Sequence, residues 1–247
     1  MYETGWIILA YIMGSIPFGV ILARIFCRLD PQAAGSGNIG ATNVTRLCGL
    51  PVGLATLLLD AGKGFAAAYL GLRFVSAEPL FLTLTGLAVI LGHMHSIFLH
   101  FKGGKAVATT IGVFAALALP QILFALLLCG AVIYWKKYVS LGSLVLVGSL
   151  PIILLISDQL DLLVLSLAAA ALVINAHKDN IIRLIKGEEK PWRRAKTPET
   201  PEMTGSTGES TQVAEQAEAL EQPEPEQPVE PINEATPDAQ SNDHSRI

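Results

Sequence analysis

The chain has 247 residues, of which 51% are hydrophobic and 15% are charged, and its mean hydropathy is +0.49. This balance is too apolar for an ordinary soluble domain and predicts an integral membrane protein. The formal net charge of -4 is unevenly distributed, because residues 197–247 hold 12 of the 21 acidic residues and one of the 17 lysines and arginines. We expect membrane lipid as a partner and no nucleic acid.

Apolar stretches long enough to cross a bilayer core of about 30 Å follow one another along most of the chain. They are residues 5–26, 50–74, 79–101, 107–135, 141–156 and 160–176. Pro17 is expected to kink the first stretch. The fourth is long for one crossing, so we expect it to cross twice with a turn near Pro120. The predicted fold class is an all-α, polytopic integral membrane helical bundle with seven transmembrane helices, or six as the alternative.

Basic residues gather in the loops that seven spans would place on one side of the membrane. They are Arg24, Arg28, Arg46, Lys102, Lys105, Lys136, Lys137, Lys178, Arg183 and Lys186. Short loops rich in lysine and arginine stay in the cytoplasm. The N-terminus is therefore predicted outside, with the glycine-rich loops and the C-terminal tail in the cytoplasm.

The C-terminal part of the chain changes character. Residues 197–247 contain seven of the 14 prolines, many glutamates and almost no large apolar side chains. Such a composition cannot form a packed core. We predict a membrane-embedded domain over residues 1–190 and a disordered, acidic cytoplasmic tail over residues 191–247.

The first polar segment, residues 34–46, reads AGSGNIGATNVTR and lies between two apolar stretches. Gly35, Gly37 and Gly40 allow several backbone N–H groups to point at one spot, which is typical of phosphate binding. The spacing also matches the dinucleotide fingerprint Gly-x-Gly-x-x-Gly. That reading fails, because the fingerprint requires a preceding strand and a βαβ unit.

The second polar segment, residues 101–110, reads FKGGKAVATT and precedes an apolar helix. Gly103 and Gly104 lie between Lys102 and Lys105, so backbone donors, positive charge and a helix N-terminus coincide. Anchoring at the cytoplasmic face explains the lysines but not the glycines. We therefore expect a phosphate-binding role.

Other polar residues have competing interpretations. His177, Asn180 and Arg183 recur at helical spacing and are expected to face one pocket. Asp60 and Lys63 are expected to pair inside the membrane, either functionally or as a self-satisfied pair. Ser143 either contacts a ligand or begins a helix. The three cysteines are scattered, so neither a disulfide nor a metal site is predicted.

Three blocks of this sequence resemble the bacterial acyl-phosphate:glycerol-3-phosphate acyltransferases, the PlsY-type membrane enzymes. The blocks are GSGNIGATNVTR at 35–46, GHMHSIFLHFKGGKAVAT at 92–109 and HKDNIIRLIKG at 177–187. The family usually has Phe-Pro where this chain has His95-Ser96, a glycine at Ala106, and Arg-Glu at Lys178-Asp179.

The resemblance implies transfer of an acyl group from acyl phosphate to the sn-1 hydroxyl of glycerol 3-phosphate, giving lysophosphatidic acid and phosphate. It implies a bacterial inner membrane location, an upstream enzyme that forms acyl phosphate, and no cofactor or metal. The implied catalytic residues are Ser36, Arg46, Lys105, His177 and Asn180. The implied substrate- and phosphate-binding residues are Gly37, Asn38, Thr42, Asn43, Lys102, Gly103, Gly104, Ser143 and Arg183.

Within this scheme the two glycine-rich segments bind phosphates and the developing oxyanion, the latter partly through the amides of Gly103 and Gly104. His177 and Asn180 orient the glycerol phosphate, and either His177 or a substrate phosphate takes the hydroxyl proton. The alternative function is a transporter of a phosphorylated metabolite, which would suit Asp60 and Lys63. A transporter predicts repeat symmetry and a pathway open to both faces, whereas the polar motifs lie on one predicted face and no repeat is found.

Overall fold

A computed structural model describes residues 1–192, which form helices and contain no strand. The α-helices are α1 (Tyr2–Ser15), α2 (Phe18–Cys27), α3 (Ala41–Cys48), α4 (Leu50–Phe74), α5 (Pro79–Met94), α6 (Val107–Leu117), α7 (Leu119–Lys136), α8 (Val139–Ile156), α9 (Leu163–Ala176) and α10 (Lys178–Lys186). Short 3-10 turns occupy Ile97–Leu99 and Leu160–Leu162. The predicted all-helical class is confirmed for the described residues. The predictions for the acidic tail lie outside them, apart from its first two residues.

Five helical segments are long and apolar enough to cross a membrane by themselves. They are Tyr2–Cys27, Leu50–Phe74, Pro79–Leu99, Leu119–Lys136 and Val139–Ile156. A sixth arises if Leu160–Ala176 and α10, which meet at an angle of 61°, count as one bent span. The prediction of a multi-pass helical membrane protein is therefore confirmed.

The long stretch 107–135 divides into two helices, as predicted. The break lies at Ala118, and Pro120 falls in the first turn of α7, where a missing N–H leaves no helical hydrogen bond unmade. The two helices are unequal, with 11 residues in α6 and 18 in α7, rather than two halves of similar length. At 11 residues, α6 is short for a full crossing.

The first span is broken rather than merely kinked at Pro17. Helix α1 ends at Ser15 and α2 begins at Phe18, so the backbone of Ile16 lies outside both helices. Helix α2 then packs closely on the first polar segment, because a side chain at Gly19 would overlap the carbonyl group of Ile39. The break thus determines where α2 and the segment after it lie.

Small residues let two pairs of helices pack backbone to backbone. A Cβ at Gly64 or Gly112 would overlap the facing backbone between α4 and α6. A Cβ at Gly14 or Gly92 would do the same between α1 and α5. Small residues permit this close approach in membrane bundles, where van der Waals packing drives association. These contacts hold the helix ends that carry the polar segments.

The cysteines correct one expectation. Cys27 at the end of α2 and Cys48 at the end of α3 form a disulfide, with their Cα atoms 5.8 Å apart. The prediction of no disulfide was wrong, because the spacing of 21 residues gives no sign that the ends of two helices meet. Cys129 is a buried thiol, as expected for a small apolar residue.

Candidate active site

A cavity of about 580 Å³ lies where one end of the bundle meets the connecting loops. Its walls come from the first polar segment, the start of α6, the start of α8 and the residues that follow α9. Its lining residues include Ser36, Gly37, Asn38, Thr42, Asn43, Arg46, Gly103, Lys105, Ser143, His177, Asn180 and Arg183. Most of the predicted site residues are therefore brought together, although they lie in four separate parts of the sequence.

Asn43 organises the first polar segment. Its buried side chain accepts a hydrogen bond from the Ser36 N–H at 2.9 Å and donates to the carbonyl groups of Pro31, Ala34 and Asn38. Every hydrogen-bonding atom of this amide is thereby used within the protein. Asn43 was predicted to bind substrate, and in the structure its side chain instead holds the backbone of the first polar segment.

The neighbouring residues divide into supports and polar arms. The Asn38 side chain accepts a hydrogen bond from the Gly40 N–H at 2.7 Å, which forms a local turn. Ser36 is exposed at the cavity, and Thr42 and Arg46 lie four residues apart on one face of α3. The hydroxyl and guanidinium groups of these three residues are positioned to meet a ligand.

The second polar segment corrects another prediction. The Gly103 N–H donates to the Met94 carbonyl at 2.9 Å, and the Gly104 N–H donates to the His93 carbonyl at 3.0 Å. These carbonyls belong to the last turn of α5, which leaves such acceptors unpaired. Both amides are thus engaged within the protein and do not point at a ligand.

The glycines of this turn are needed for close packing instead. A side chain at Gly103 would overlap the backbone at the end of α5, and one at Gly104 would overlap the His93 imidazole. We call these two residues the glycine turn. Gly103 touches the cavity, but Gly104 does not line it.

The two lysines beside the glycine turn differ. Lys102, which was predicted to bind phosphate, is exposed and does not line the cavity. Lys105 lines the cavity, and its ammonium group donates to the side-chain oxygen of Asn180. Burial lowers the pKa of Lys105, and the nearby charge of Arg183 lowers it further, against the opposing effect of Glu189.

His177 directly follows the last residue of α9 and is 3% exposed. Its Nδ1 lies 2.8 Å from the Val173 carbonyl, which can only accept, so Nδ1 carries the proton and Nε2 is an acceptor. Burial lowers the pKa of His177 to about 4, and the charge of Lys105 acts in the same direction. The imidazole is therefore neutral at physiological pH.

The carboxylate of Glu189 joins the elements around His177, although it was absent from the predicted site. It accepts hydrogen bonds from Ser140 at 2.7 Å, Asn180 at 2.6 Å and Arg183 at 2.8 Å. Burial opposes its ionisation, but these three donors hold the pKa of Glu189 below its ordinary value. In the sequence, Glu189 lies in a charged stretch after α10. The one local sign that the chain changes direction there is Gly187, which ends that helix.

The residues after α10 return to the cavity through backbone contacts as well. The Lys190 carbonyl accepts a hydrogen bond from the Arg46 guanidinium at 3.3 Å. The Trp192 N–H donates to the Lys137 carbonyl at 2.8 Å. Residues 187–192 therefore extend across the site from α3 to the start of α8.

Beneath the cavity lies a buried ionisable group that we call the floor cluster, consisting of Asp60, Lys63 and His93. The Asp60 carboxylate lies 2.8 Å from the Lys63 ammonium and 3.5 Å from Nδ1 of His93. The predicted pairing of Asp60 with Lys63 is thus observed. Asp60 and His93 also line the cavity, which the sequence did not indicate.

The cavity combines cationic and apolar surfaces. Arg46, Lys105 and Arg183 lie on its polar side, where Glu189 and Asp179 supply the opposing charge. Its apolar lining comes from Leu57, Ala106, Val107, Ala108 and Val139. Among residues 1–192, no group of three or more histidine, cysteine, aspartate or glutamate side chains could hold a metal ion. The arrangement suits an anionic ligand that also carries an apolar part.

Comparison with known sequences gives a consistent assignment. The family model for glycerol-3-phosphate acyltransferase matches residues 4–187. A glycerol-3-phosphate acyltransferase of Lawsonia intracellularis is 54% identical over 192 residues, covering 78% of this chain and 96% of the relative. The matched region includes all the cavity-lining segments up to α10.

Two solved structures are also similar. Both are of PlsY (YgiH), an integral membrane glycerol 3-phosphate acyltransferase, in its glycerol 3-phosphate form and its lysophosphatidic acid form. Each is 38% identical to this chain and covers 77% of it, with TM-scores of 0.74 and 0.73. The match covers 96% and 95% of those chains, respectively.

Proposed function

Because the chain belongs to the glycerol-3-phosphate acyltransferase family, we propose that it moves a fatty acyl group from acyl phosphate to the sn-1 hydroxyl of glycerol 3-phosphate. The products are lysophosphatidic acid and phosphate. The family resemblance drawn from three sequence blocks is confirmed. The observation that supports this reaction is one cavity that brings together Arg46, Lys105 and Arg183, a neutral histidine and an apolar side.

The polar arms of the cavity are suited to hold phosphate groups. Arg46 and Lys105 supply charge from two separate segments, and Ser36 and Thr42 supply hydroxyl groups between them. Hydrogen bonds from charged donors to phosphate oxygens are roughly twice as strong as neutral ones. We assign Gly37 and Asn38 to the shape of this surface, and Arg183 to its charged rim.

His177 is assigned to orient the attacking hydroxyl. Its Nε2 accepts the hydroxyl hydrogen bond, while Nδ1 is held by the Val173 carbonyl. With a pKa of about 4, the imidazole is a weaker base than a phosphate monoester, whose second pKa is about 6. A phosphate oxygen of the substrates therefore takes the proton, and Asn180 fixes the glycerol phosphate beside it.

Positioning and charge are sufficient for this chemistry, because acyl phosphate is already an activated donor. Attack at the carbonyl carbon forms the new ester bond and breaks the bond to phosphate. The developing oxyanion would be stabilised by Lys105 and by the backbone N–H groups at the start of α6, next to Ala106. In this proposal, these N–H groups take the role that the sequence had suggested for the amides of Gly103 and Gly104.

The acyl chain would leave the cavity along its apolar side. Leu57 on α4, Val107 on α6 and Val139 on α8 form that side. The start of α8 also carries Ser143, whose hydroxyl donates to the Val139 carbonyl at 3.0 Å rather than into the cavity. We therefore assign Ser143 to helix structure and not to phosphate binding.

The proposed topology has seven spans, with α6 and α7 as separate crossings. Its support is the contact of Gln121 at the start of α7 with Ser157 after α8, where the side chains are 3.2 Å apart. The outer end of α7 thus lies beside the outer end of α8. We place the N-terminus outside and the cavity at the cytoplasmic face of a bacterial inner membrane, where an upstream enzyme would supply acyl phosphate.

Two further assignments complete the proposal. Residues 1–190 would form the catalytic membrane domain, and residues 191–247 an accessory tail.

A transporter of phosphorylated metabolites is not supported, because the similar proteins are acyltransferases and the cavity residues gather at one end of the bundle. We do not carry that alternative further.

The test supplies purified protein with glycerol 3-phosphate and either acyl phosphate or acyl-CoA, and follows lysophosphatidic acid and released phosphate. We expect equal amounts of both products from acyl phosphate and none from acyl-CoA. The Thr85→Val variant, altered in α5 away from the cavity, is purified and assayed in the same way as a control for loss of activity during preparation. Product from acyl-CoA alone would contradict the proposed donor, and no product from either donor in folded protein would contradict the reaction.

A further inference from the structure

We propose that the floor cluster is a positioning device for the reaction, because it fixes the glycine turn and thereby places Lys105. The inference rests on the proposed function and goes beyond it. Neither Asp60 nor His93 is given a contact with the reacting atoms. The two residues act through the backbone that follows α5.

The first step runs from Asp60 to His93. The imidazole Nδ1 is buried and has no hydrogen-bond partner that meets strict geometry among residues 1–192. The Asp60 carboxylate at 3.5 Å is the charged group available to orient it. A buried polar atom without a partner is costly, so this attraction favours one ring orientation.

The second step runs from His93 to Lys105. The Nε2 edge of the ring is packed so closely against Gly104 that a Cβ would overlap it. The same residue accepts the Gly104 N–H through its carbonyl at 3.0 Å. Ring and carbonyl therefore hold one peptide unit from two sides, and Lys105 is the next residue. A tilt of the ring would move the ammonium group relative to Asn180.

Lys63 extends the device to the first polar segment. Its ammonium group donates to the Ile16 carbonyl at 2.8 Å, at the break between α1 and α2. Helix α2 packs through Gly19 against the backbone of Ile39 in that segment. One buried cluster thus contacts the supports of both glycine-rich segments, which lie more than 50 positions apart.

Stability alone does not account for these charges. Both side chains of the Asp60–Lys63 pair are buried, with exposures of 2% and 3%. Replacing such a pair by apolar residues of similar volume is often neutral or stabilising. A cluster that also lines the cavity and contacts the glycine turn has a positional role that apolar residues would not supply.

The test is a double-mutant cycle between Asp60→Asn and Lys105→Met, with turnover measured at saturating substrates. We expect Asp60→Asn to lower kcat about 30-fold or more with KM for glycerol 3-phosphate changed less than about threefold. Because Asp60 acts only through Lys105, Asp60→Asn should cost less than about threefold more in the Lys105→Met background, so the double variant should match Lys105→Met alone at ~10³-fold below the wild type. A full additional loss would overturn the inference. Arg46→Met should retain its effect in both backgrounds.

A second measurement is independent of turnover. Backbone hydrogen exchange over residues 101–106 should be faster in Asp60→Asn than in the wild type, by about tenfold or more, since the two amide hydrogen bonds loosen. The control Thr85→Val alters a buried residue of α5, the helix that carries His93. It should leave the exchange rates of residues 101–106 unchanged. Unchanged exchange in Asp60→Asn would also overturn the inference. A wild-type protein without product would instead count against the proposed function, and the exchange experiment still tests the positioning.

A third variant guards against misfolding of Asp60→Asn, which leaves Lys63 without its partner. Asp60→Asn combined with Lys63→Met removes both charges and keeps similar side-chain volumes. We expect this protein to be folded and yet to show the fast exchange and low kcat. A folded double variant with wild-type kcat would show that Asp60 and Lys63 only neutralise each other's charge and do not position Lys105.

Discussion

The two glycine-rich segments look alike in sequence but are built in opposite ways. The first has its backbone held from within by Asn43, and it presents Ser36, Thr42 and Arg46 to the cavity. The second has its backbone held from outside, by the end of α5, and it presents Lys105. Glycine therefore permits a left-handed backbone at Gly35 and Gly37 in the first segment and close packing against α5 in the second. Residues that face the cavity are thereby distinguished from residues that shape the loops.

The largest effect is expected at the tip of the second segment. Lys105→Met should lower kcat/KM by ~10³-fold, since it removes the buried cation assigned to phosphate and oxyanion. Lys102→Met is the matched control and should change kcat/KM less than about twofold, because Lys102 lies outside the cavity. Steady-state kinetics of the two variants would settle the comparison. Equal losses would mean that the charge of the segment matters and its geometry does not.

The glycine turn gives the next effect. Gly104→Ala should lower kcat by about 10²-fold, because the added methyl group displaces the His93 ring or the peptide before Lys105. Gly148→Ala in α8 is the control, as its added Cβ meets nothing within 4 Å. Turnover at saturating substrates is the measurement. If Gly104→Ala were fully active, the packing role of this glycine would be wrong.

Asn43 should behave as a support rather than a ligand. Asn43→Asp keeps the acceptor for the Ser36 N–H but loses the two N–H donors that are shared among three carbonyl groups. We expect it to lower the free energy of unfolding by about 2 kcal/mol or more, at roughly 1 kcal/mol for each lost donor. Thermal unfolding in detergent measures the stability, and the KM for glycerol 3-phosphate should rise with it. Raised KM with unchanged stability would make Asn43 a direct substrate contact.

The smallest effect concerns pH. His177 has a pKa of about 4 when folded and about 6.5 when unfolded, so the unfolded chain binds more protons between these values. Stability is full above pH 6.5 and is lost as the pH falls towards 4, with about 2 kcal/mol gone at pH 5. This loss precedes any from Glu189, whose pKa is held below 4.5. Unfolding midpoints of wild type and His177→Gln should converge at low pH, and parallel curves would contradict the buried neutral imidazole.

The sequence predicted the fold and the polar side chains of the cavity well, because both follow from patterns between neighbours along the chain. Apolar length located the helices, and helical spacing placed His177, Asn180 and Arg183 together. Pro120 marked the division between α6 and α7 to within two residues of the observed break. Such features depend on neighbours along the chain, which a single sequence displays.

The errors share a different cause, which is contact between distant parts of the chain. The amides of the glycine turn are engaged by carbonyls nine and eleven residues earlier, and the disulfide joins two helix ends. Glu189 reaches Ser140 over 49 residues. None of these partners follows a spacing rule, so no periodicity could have indicated them. Among the long-range contacts, those of Asp60 and Lys63 could be suspected from the sequence, because both are charged residues within an apolar helix.

The short helix α6 has a consequence for the surrounding membrane. Its 11 residues rise about 17 Å, whereas the 18 residues of α7 rise about 27 Å. If both begin or end at the same outer level, the reacting groups near Lys105 lie about 10 Å below the opposite headgroup plane. A water-soluble substrate then meets the head of a lipid-borne one at the depth where acyl chains begin. Hydrophobic mismatch would change that depth, so the thickness of the host bilayer becomes a determinant of turnover.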